Sequence, residues 1–211
     1  MNIILLGAPG AGKGTQAVFL SGHFKLKLVG TGDMFRNAIA GGTELGKQAE
    51  RFVKEGMLVP DDIVIGIIRQ GLSLEDWEQG LLFDGFPRTV TQAQELDKVF
   101  DIKHKQTDRA IFIAVTDAVL IDRLVNRWTC SGCGKIFGSE SSAQTICTAC
   151  GGKLVKRIDD TEETARKRLH EYKEKTEPVI DYYKRKKNVY VEVNGSLSKE
   201  EVAKALISVC S

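Results

Sequence analysis

Residues 7–15 read G-A-P-G-A-G-K-G-T and lie between an apolar run at residues 2–6 and a segment at 13–24 whose apolar residues have helical spacing. A glycine-rich loop in that context predicts a phosphate site, because its backbone N–H groups point inward and the helix adds the positive end of its dipole. Lys13 can reach the β- and γ-phosphates of a nucleoside triphosphate. Gly14 stands where Ser or Thr generally follows this lysine, and Thr15 comes next. A glycine-rich turn without a ligand is the weaker interpretation.

Beyond this loop, apolar runs alternate with segments of helical periodicity. Strands are predicted at residues 2–6, 26–29, 81–84, 110–115 and 190–193. Helices are predicted at residues 13–24, 33–40, 44–55, 61–71, 92–100, 118–127, 160–187 and 198–209. Capping boxes open the last two helices (Asp160/Glu163 and Ser198/Glu201), and Pro178 is expected to kink the first of these. This alternation predicts an α/β fold, a five-stranded parallel sheet flanked by helices, with ligands at the carboxyl ends of the strands.

The composition is that of an ordinary globular protein, with 211 residues, 42% hydrophobic and 27% charged. No apolar run reaches membrane-spanning length, and the apolar N-terminus lacks a basic leader, so we expect a cytoplasmic protein. The formal net charge of +2 disfavours a nucleic-acid binder, which usually carries a larger basic excess. Anion binding must therefore depend on locally placed cations.

Asp84 ends the predicted strand at residues 81–84. In that position it fits the acidic residue that holds Mg²⁺ beside a triphosphate through an intervening water, as in other phosphoryl-transfer sites. A turn or helix-capping role is the alternative.

Four of the five cysteines form two close pairs, Cys130/Cys133 and Cys147/Cys150, within a segment rich in Gly, Ser and Thr that we interpret as an inserted subdomain. Without a secretion signal, this spacing favours a metal over disulfides. Four thiolates form a closed tetrahedral site that suits structural zinc, with iron or cobalt as rivals and reduced cysteines as the remaining alternative. Cys210 is interpreted as a small apolar residue.

These features together resemble the adenylate kinase family over essentially the whole chain. The D-G-F-P-R stretch at residues 84–88, beside the G-K-G-T of the loop, is highly specific to nucleoside monophosphate kinases. The cysteine pairs resemble the zinc-bearing lid of the longer bacterial form. The other matching stretches are residues 31–36, 58–61, 122–123 with Arg127, and 157–160 with Arg168.

The resemblance implies a P-loop fold in three parts: a core at residues 1–29, 60–125 and 161–211, an AMP-binding segment at 30–59, and a lid at 126–160. It implies reversible transfer of a phosphoryl group from ATP to AMP, giving two ADP and maintaining adenine nucleotide balance. The implied cofactors are Mg²⁺ with ATP and a structural Zn²⁺ held by the four paired cysteines. We expect a monomer with ATP and AMP as its small-molecule partners and neither nucleic acid nor membrane.

The resemblance also assigns individual residues. ATP is assigned to Gly10, Ala11, Gly12, Lys13, Gly14, Thr15, Arg127, Ile136, Phe137 and Leu197. AMP is assigned to Thr31, Arg36, Met57, Leu58, Val59, Gly85, Phe86, Pro87, Arg88, Gln92, Arg157 and Arg168. Phosphoryl transfer is assigned to Lys13, Arg88, Arg123, Arg157 and Arg168.

The chemistry of the reaction agrees with these assignments. Two anionic nucleotides repel, and arginine forks match the geometry of phosphate. The acceptor phosphate is already ionised, so the reaction requires no general base, in keeping with only three histidines in the chain. Two alternatives stay open: a kinase for UMP or GMP, which Gln92 and Thr31 disfavour, and a nucleic-acid-binding ATPase with a zinc ribbon.

Overall fold

A five-stranded parallel sheet forms the centre of the computed structural model, which describes residues 1–72, 74–138, 144–157 and 160–211. The strand order is β2-β3-β1-β4-β8. These strands are β1 (Ile3–Leu6), β2 (Lys27–Gly30), β3 (Leu81–Asp84), β4 (Arg109–Ala114) and β8 (Tyr190–Asn194). The order and direction confirm the predicted fold class.

The central strand β1 explains why the sheet has a core on each face. All four of its residues are buried. Ile4 and Leu6 belong to one hydrophobic cluster, whereas Ile3 and Leu5 belong to the other. Successive side chains of a strand point to opposite faces, so a strand covered by helices on both sides has no polar positions.

Helices cover the sheet and extend beyond it. They are α1 (Lys13–Phe24), α2 (Thr31–Ala40), α3 (Glu44–Glu55), α4 (Asp61–Gly71), α5 (Leu74–Gln79), α6 (Val90–Ile102), α7 (Asp117–Val125), α8 (Glu162–Glu171), α9 (Glu177–Lys184) and α10 (Lys199–Cys210). The bounds of α1, α3 and α4 agree with the sequence prediction. The short helix α5 was not predicted, because six residues give too little periodicity to detect.

The inserted segment contains a small antiparallel sheet with the order β6-β5-β7. Its strands are β5 (Trp128–Cys130), β6 (Ile136–Phe137) and β7 (Leu154–Val155). Its own hydrophobic cluster consists of Cys130, Phe137, Cys147 and Leu154, with Trp128 packed against them. So small a core provides little stability by itself, which is the usual reason for a metal or another crosslink.

The long helix predicted at residues 160–187 differs from the structure at two points. It begins with Thr161 as the N-cap, whose hydroxyl accepts a hydrogen bond from the Thr164 N–H, and not with Asp160. The irregularity expected at Pro178 is a π-helical turn over Tyr172–Thr176, just before the proline. Proline lacks the N–H that would bond to the preceding turn, so that turn widens. The predicted capping box of Ser198 and Glu201 is present.

Helices α2 and α3 touch at Gly46, where a substitution should be costly. A Cβ built on Gly46 would lie 2.1 Å from the carbonyl oxygen of Ala38 and 2.3 Å from its carbonyl carbon. We expect Gly46→Ala to lower the free energy of unfolding by about 3 kcal/mol, because two backbones would have to separate. Urea denaturation measures this change.

The control for this substitution is Gly22→Ala in α1. A Cβ on Gly22 would meet nothing within 4 Å. The free energy of unfolding of this variant is expected to rise by about 0.5–1 kcal/mol, because alanine has a higher helix propensity than glycine. Equal effects at the two glycines would contradict the close approach of α2 and α3.

In the described part of the chain, the helices lack the combination of length and apolar character that crossing a bilayer requires.

Candidate active site

The glycine-rich loop joins β1 to α1 at the carboxyl edge of the sheet, as predicted. Gly10 has a positive φ of 88°, and a Cβ there would lie 2.7 Å from the carbonyl oxygen of Leu120. Only glycine fits that turn without strain. Lys13 folds back over the loop, and its Nζ donates to the carbonyl oxygens of Gly7 at 2.8 Å and Ala8 at 3.0 Å.

Asp84, at the end of β3, lies against this loop. A Cβ on Gly14 would be 3.2 Å from Asp84 Oδ2, so the glycine after Lys13 leaves room for the carboxylate. Burial raises the pKa of Asp84, while Lys13 and Arg88 oppose that shift. A partly buried carboxylate beside a phosphate-binding loop is chemically suited to hold a magnesium ion.

Several cations converge on the same place. The pKa of Lys13 is lowered to about 8, chiefly by burial and in addition by the positive charges of Arg88, Arg168 and Arg127, while Asp84 opposes the shift. Cations gathered this closely repel one another unless anions separate them. The arrangement therefore predicts a site for a highly charged anion.

Asp160 is the residue of this site whose role the sequence analysis missed. Its side chain is fully buried and pairs with two arginines: Arg127, whose Nε lies 2.6 Å from Oδ2, and Arg168, whose Nη1 lies 3.3 Å from Oδ1. The sequence analysis assigned Asp160 to a helix cap. In the sequence, Asp160 lies between Arg127 and Arg168, which were both assigned to nucleotides. That position was the feature from which an ion pair could have been predicted.

Thr31 and Arg88 meet at the carbonyl oxygen of Gly85. The Thr31 hydroxyl donates to it at 2.9 Å and Arg88 Nε at 2.7 Å. Arg36 lies in the same helix as Thr31 and pairs with Asp33 at 2.5 Å. These residues assigned to AMP thus come from the end of β3 and from α2, which follows β2 directly.

Gln92 lies one turn into α6 and is only 1% exposed. Its amide oxygen accepts from the backbone N–H of Arg88 at 2.7 Å, and its amide nitrogen donates to Asp61 Oδ1 at 2.7 Å. The sequence analysis assigned Gln92 but not Asp61, which fell inside a matching stretch without a role.

The other residues assigned to AMP differ in how far their side chains are buried. Met57 and Leu58 are partly exposed, whereas the side chains of Val59, Phe86 and Pro87 are buried. Val59 and Phe86 belong to the hydrophobic core. A contact of these two with a nucleotide would therefore have to use their backbone.

Arg123 and Leu197 lie on the side of the site formed by the start of α10. Arg123 Nη1 donates to the carbonyl oxygen of Gly195 at 3.2 Å, and Leu197 is 43% exposed. Gln16, beside the phosphate loop, donates to the carbonyl oxygen of Lys199 at 3.0 Å. This hydrogen bond joins the loop helix to the segment assigned to the ATP base.

The inserted segment contributes Ile136 and Arg157 to the site. Ile136 Cδ1 would be 3.7 Å from a Cβ on Gly14, so β6 reaches the phosphate loop. Arg157 Nε donates to Thr129 Oγ1 at 3.1 Å, and its charge acts on Asp84. Ile158 and Asp159, which complete the matching stretch at 157–160, lie outside the described residues.

The side chain of Phe137 faces away from the phosphate loop, unlike that of its neighbour Ile136. Strand alternation places its ring on the opposite face, where it is 8% exposed in the cluster with Cys130 and Leu154. The sequence analysis assigned both residues to the nucleotide. The position of the Phe137 ring leaves only its backbone for such a contact.

The four paired cysteines come together as expected. Their Sγ atoms all lie within 4.8 Å of one another. Cys130 Sγ accepts hydrogen bonds from the backbone N–H groups of Cys133 at 3.4 Å and Gly132 at 3.3 Å, which lower the pKa of this thiol to about 6. Four soft sulfurs this close together form a donor set that fits zinc, which prefers four ligands. Cys210 lies outside this cluster and is half-buried.

The lowered pKa of Lys13 predicts proton uptake when a triphosphate binds. Phosphate charges favour the ammonium form, so binding should return its pKa towards 10.5. Binding at pH 8 is then expected to take up about half a proton, and affinity should fall as the pH rises above 8. Calorimetry of ATP binding in two buffers with different ionisation enthalpies measures the uptake.

Lys13→Met is the control for this experiment and should abolish the uptake. Proton release, or an unchanged uptake in Lys13→Met, would contradict the assignment to Lys13.

Comparison with known proteins adds to this geometry. The model of the adenylate kinase family matches residues 5–188. An adenylate kinase of Archaeoglobus fulgidus is 44% identical over 209 residues, covering 98% of this chain and 96% of the relative. One of Caldicellulosiruptor bescii is 45% identical over 206 residues, covering 96% and 94%. One of Clostridium tetani is 44% identical over 205 residues, with the same coverage.

Proposed function

The chain belongs to the adenylate kinase family and is a nucleoside monophosphate kinase, and on that premise we propose that it transfers the γ-phosphoryl group of Mg·ATP reversibly to AMP, giving two ADP. The observation that carries the proposal is the convergence of Arg88, Arg127 and Arg168 on Lys13, beside the partly buried carboxylate of Asp84. In the cell this reaction would balance the adenine nucleotides.

The donor, ATP, lies along the phosphate loop in this proposal. Backbone N–H groups of residues 10–15 hold its phosphates, and Lys13 contacts the β- and γ-phosphates. Arg123 and Arg127 approach from α7 and the start of the lid. Ile136 and the backbone near Leu197 border the base.

The acceptor, AMP, lies between the ends of β2, β3 and α6. Arg36 and Arg88 grip its phosphate, while Thr31, residues 57–59 and 85–87, and Gln92 surround the nucleoside. Arg157 and Arg168 reach the two phosphates from the lid side. Asp160, which holds Arg127 and Arg168 together, keeps two of these guanidinium groups in place before the nucleotides arrive.

Catalysis in this site depends on position and charge. The acceptor phosphate is an ionised nucleophile at neutral pH, so no side chain has to remove a proton. The arginines and Lys13 neutralise the charge that spreads over the transferred group. Lys13 is held in advance by carbonyl oxygens of the loop, and Arg127 and Arg168 are held by Asp160. Closure of the inserted segment over the loop excludes water that would otherwise hydrolyse ATP.

Magnesium is the proposed cofactor of the donor. When bound with ATP, Mg²⁺ supplies charge neutralisation at the phosphates. Asp84 is the residue that would hold it, and its partly buried carboxylate beside Gly14 fits that function.

Zinc is the proposed structural metal. Cys130, Cys133, Cys147 and Cys150 would hold it in a closed site without a position for substrate. Its contribution would be to keep the small sheet of the lid folded.

The proposal divides the chain into a core of residues 1–29, 60–125 and 161–211, an AMP segment of 30–59 and a lid of 126–160. We propose that the protein acts as a monomer, since all residues of the site come from one chain.

A coupled assay with AMP, GMP, UMP and CMP as acceptors tests the proposal. We expect AMP to be preferred strongly when Mg·ATP is the donor. A clear preference for UMP or GMP would contradict the AMP assignment. Turnover of ATP that does not depend on a monophosphate would contradict the kinase reaction itself.

A further inference from the structure

Asp61, the first residue of α4, holds two side chains at the start of α6. Gln92 Nε2 donates to Asp61 Oδ1 at 2.7 Å, and the Thr89 hydroxyl donates to Asp61 Oδ2 at 3.0 Å. Thr89 also accepts from the Gln92 backbone N–H at 3.1 Å, as the N-cap of α6. Both oxygens of the carboxylate are therefore used, and the carboxylate is fixed in place.

These contacts determine which way the Gln92 amide faces. A carboxylate only accepts hydrogen bonds, so the amide NH₂ must lie towards Asp61. The Arg88 backbone N–H only donates, so the amide oxygen must lie towards it, at 2.7 Å. Rotating the amide by half a turn would set oxygen against carboxylate and NH₂ against N–H. Since Gln92 is 1% exposed, little water is present to relieve that mismatch.

We propose that Asp61 is a positioning residue for base selection: it locks the Gln92 amide in one orientation and so makes the acceptor site favour a 6-aminopurine over a 6-oxopurine. The inference rests on the proposed function, in which Gln92 faces the base of AMP. The contacts with Asp61 and Arg88 use one N–H and one oxygen lone pair of the amide. One N–H and one lone pair remain for the base, and their positions are fixed.

The two classes of purine present opposite patterns to such an amide. Adenine offers an amino donor at position 6 and an acceptor at N1, whereas hypoxanthine offers an acceptor at position 6 and an N1–H donor. A rotating amide can match either base, but a locked amide matches one and leaves polar groups of the other unpaired. Unpaired buried groups are what give a hydrogen-bonding site its selectivity.

The experiment compares Asp61→Ala with Asp62→Ala. Both residues lie in the first turn of α4, so each change removes one carboxylate near the helix N-terminus, and only Asp61 contacts Gln92. For each protein, kcat and KM are measured with AMP and with inosine monophosphate at saturating Mg·ATP. The ratio of the two kcat/KM values reports base selection.

We expect Asp61→Ala to lower the AMP preference by about tenfold or more, through the KM of the monophosphates and with the KM of ATP unchanged. Asp62→Ala should keep the preference of the unaltered protein within about twofold. A preference that survives Asp61→Ala unchanged, or that falls equally in Asp62→Ala, would overturn the proposal.

A second variant covers the case in which Asp61→Ala does not fold. Asp61→Leu keeps nearly the shape of the side chain and removes both acceptor oxygens, so it should lower the AMP preference by about threefold or more. An unchanged preference in Asp61→Leu would likewise overturn the lock. If the unaltered protein fails to phosphorylate AMP, the proposed function is wrong, and that result is separate from any effect of Asp61.

Discussion

Lys13→Met is expected to lower kcat by about a hundredfold to a thousandfold, because it removes a partly buried cation from the point where charge develops during the proposed transfer. Methionine retains most of the volume and none of the charge. The lost activity should appear in kcat at saturating ATP and AMP, because the interaction is stronger in the transition state than in the bound substrates. Steady-state kinetics with both nucleotides varied measures this effect.

The fold of Lys13→Met should survive. The lowered pKa of Lys13 means that folding disfavours its charged form, so the melting temperature is expected to stay the same or rise. Lys47→Met, an exposed position on α3, is the matched control and should leave kcat unchanged. Near-normal turnover in Lys13→Met would show that this lysine is not part of the transfer site.

Cys130→Ser is expected to lower the melting temperature by roughly 10 °C and to abolish stoichiometric zinc. Losing a structural metal is among the few single changes that cost more than about 4 kcal/mol, and each kcal/mol corresponds to about 2–4 °C in a chain of this size. Activity at room temperature should fall far less, because in the proposed function the thiolates hold a structural metal and contact no substrate. Scanning calorimetry and elemental analysis measure the two effects.

Cys210→Ser is the matched control, since Cys210 lies outside the cluster of four sulfurs. It should keep full zinc content and nearly the same melting temperature. Full zinc occupancy in Cys130→Ser would contradict a four-thiolate site.

The sequence predicted the sheet and most helix bounds because these depend on local patterns. β1 is a run of four buried residues, and α1 begins at the lysine of a loop whose glycines mark its start. The residues assigned to the site by resemblance also converge in space: Arg88, Arg127 and Arg168 all act on Lys13 although they are far from it in the chain.

The sequence analysis failed where the outcome depends on tertiary contacts. The local sequence pattern of Asp160 is typical of a helix cap. In the structure its carboxylate forms ion pairs with Arg127 and Arg168, and Thr161 caps the helix instead. Ile136 and Phe137 are adjacent in sequence, yet only one of them faces the phosphate loop, and the pairing of β6 with β5 decides which. The hydrogen bond between Asp61 and Gln92 joins residues that are 31 positions apart, so no local sequence pattern predicts it.

The most direct test of the proposed reaction starts from ADP alone. Purified protein is mixed with ADP and Mg²⁺, and the nucleotides and free phosphate are followed by phosphorus NMR. The account predicts that ATP and AMP appear in equal amounts, that no inorganic phosphate is released, and that Lys13→Met slows the approach to equilibrium. ADP that stays unchanged, or that yields phosphate in place of ATP, would contradict it.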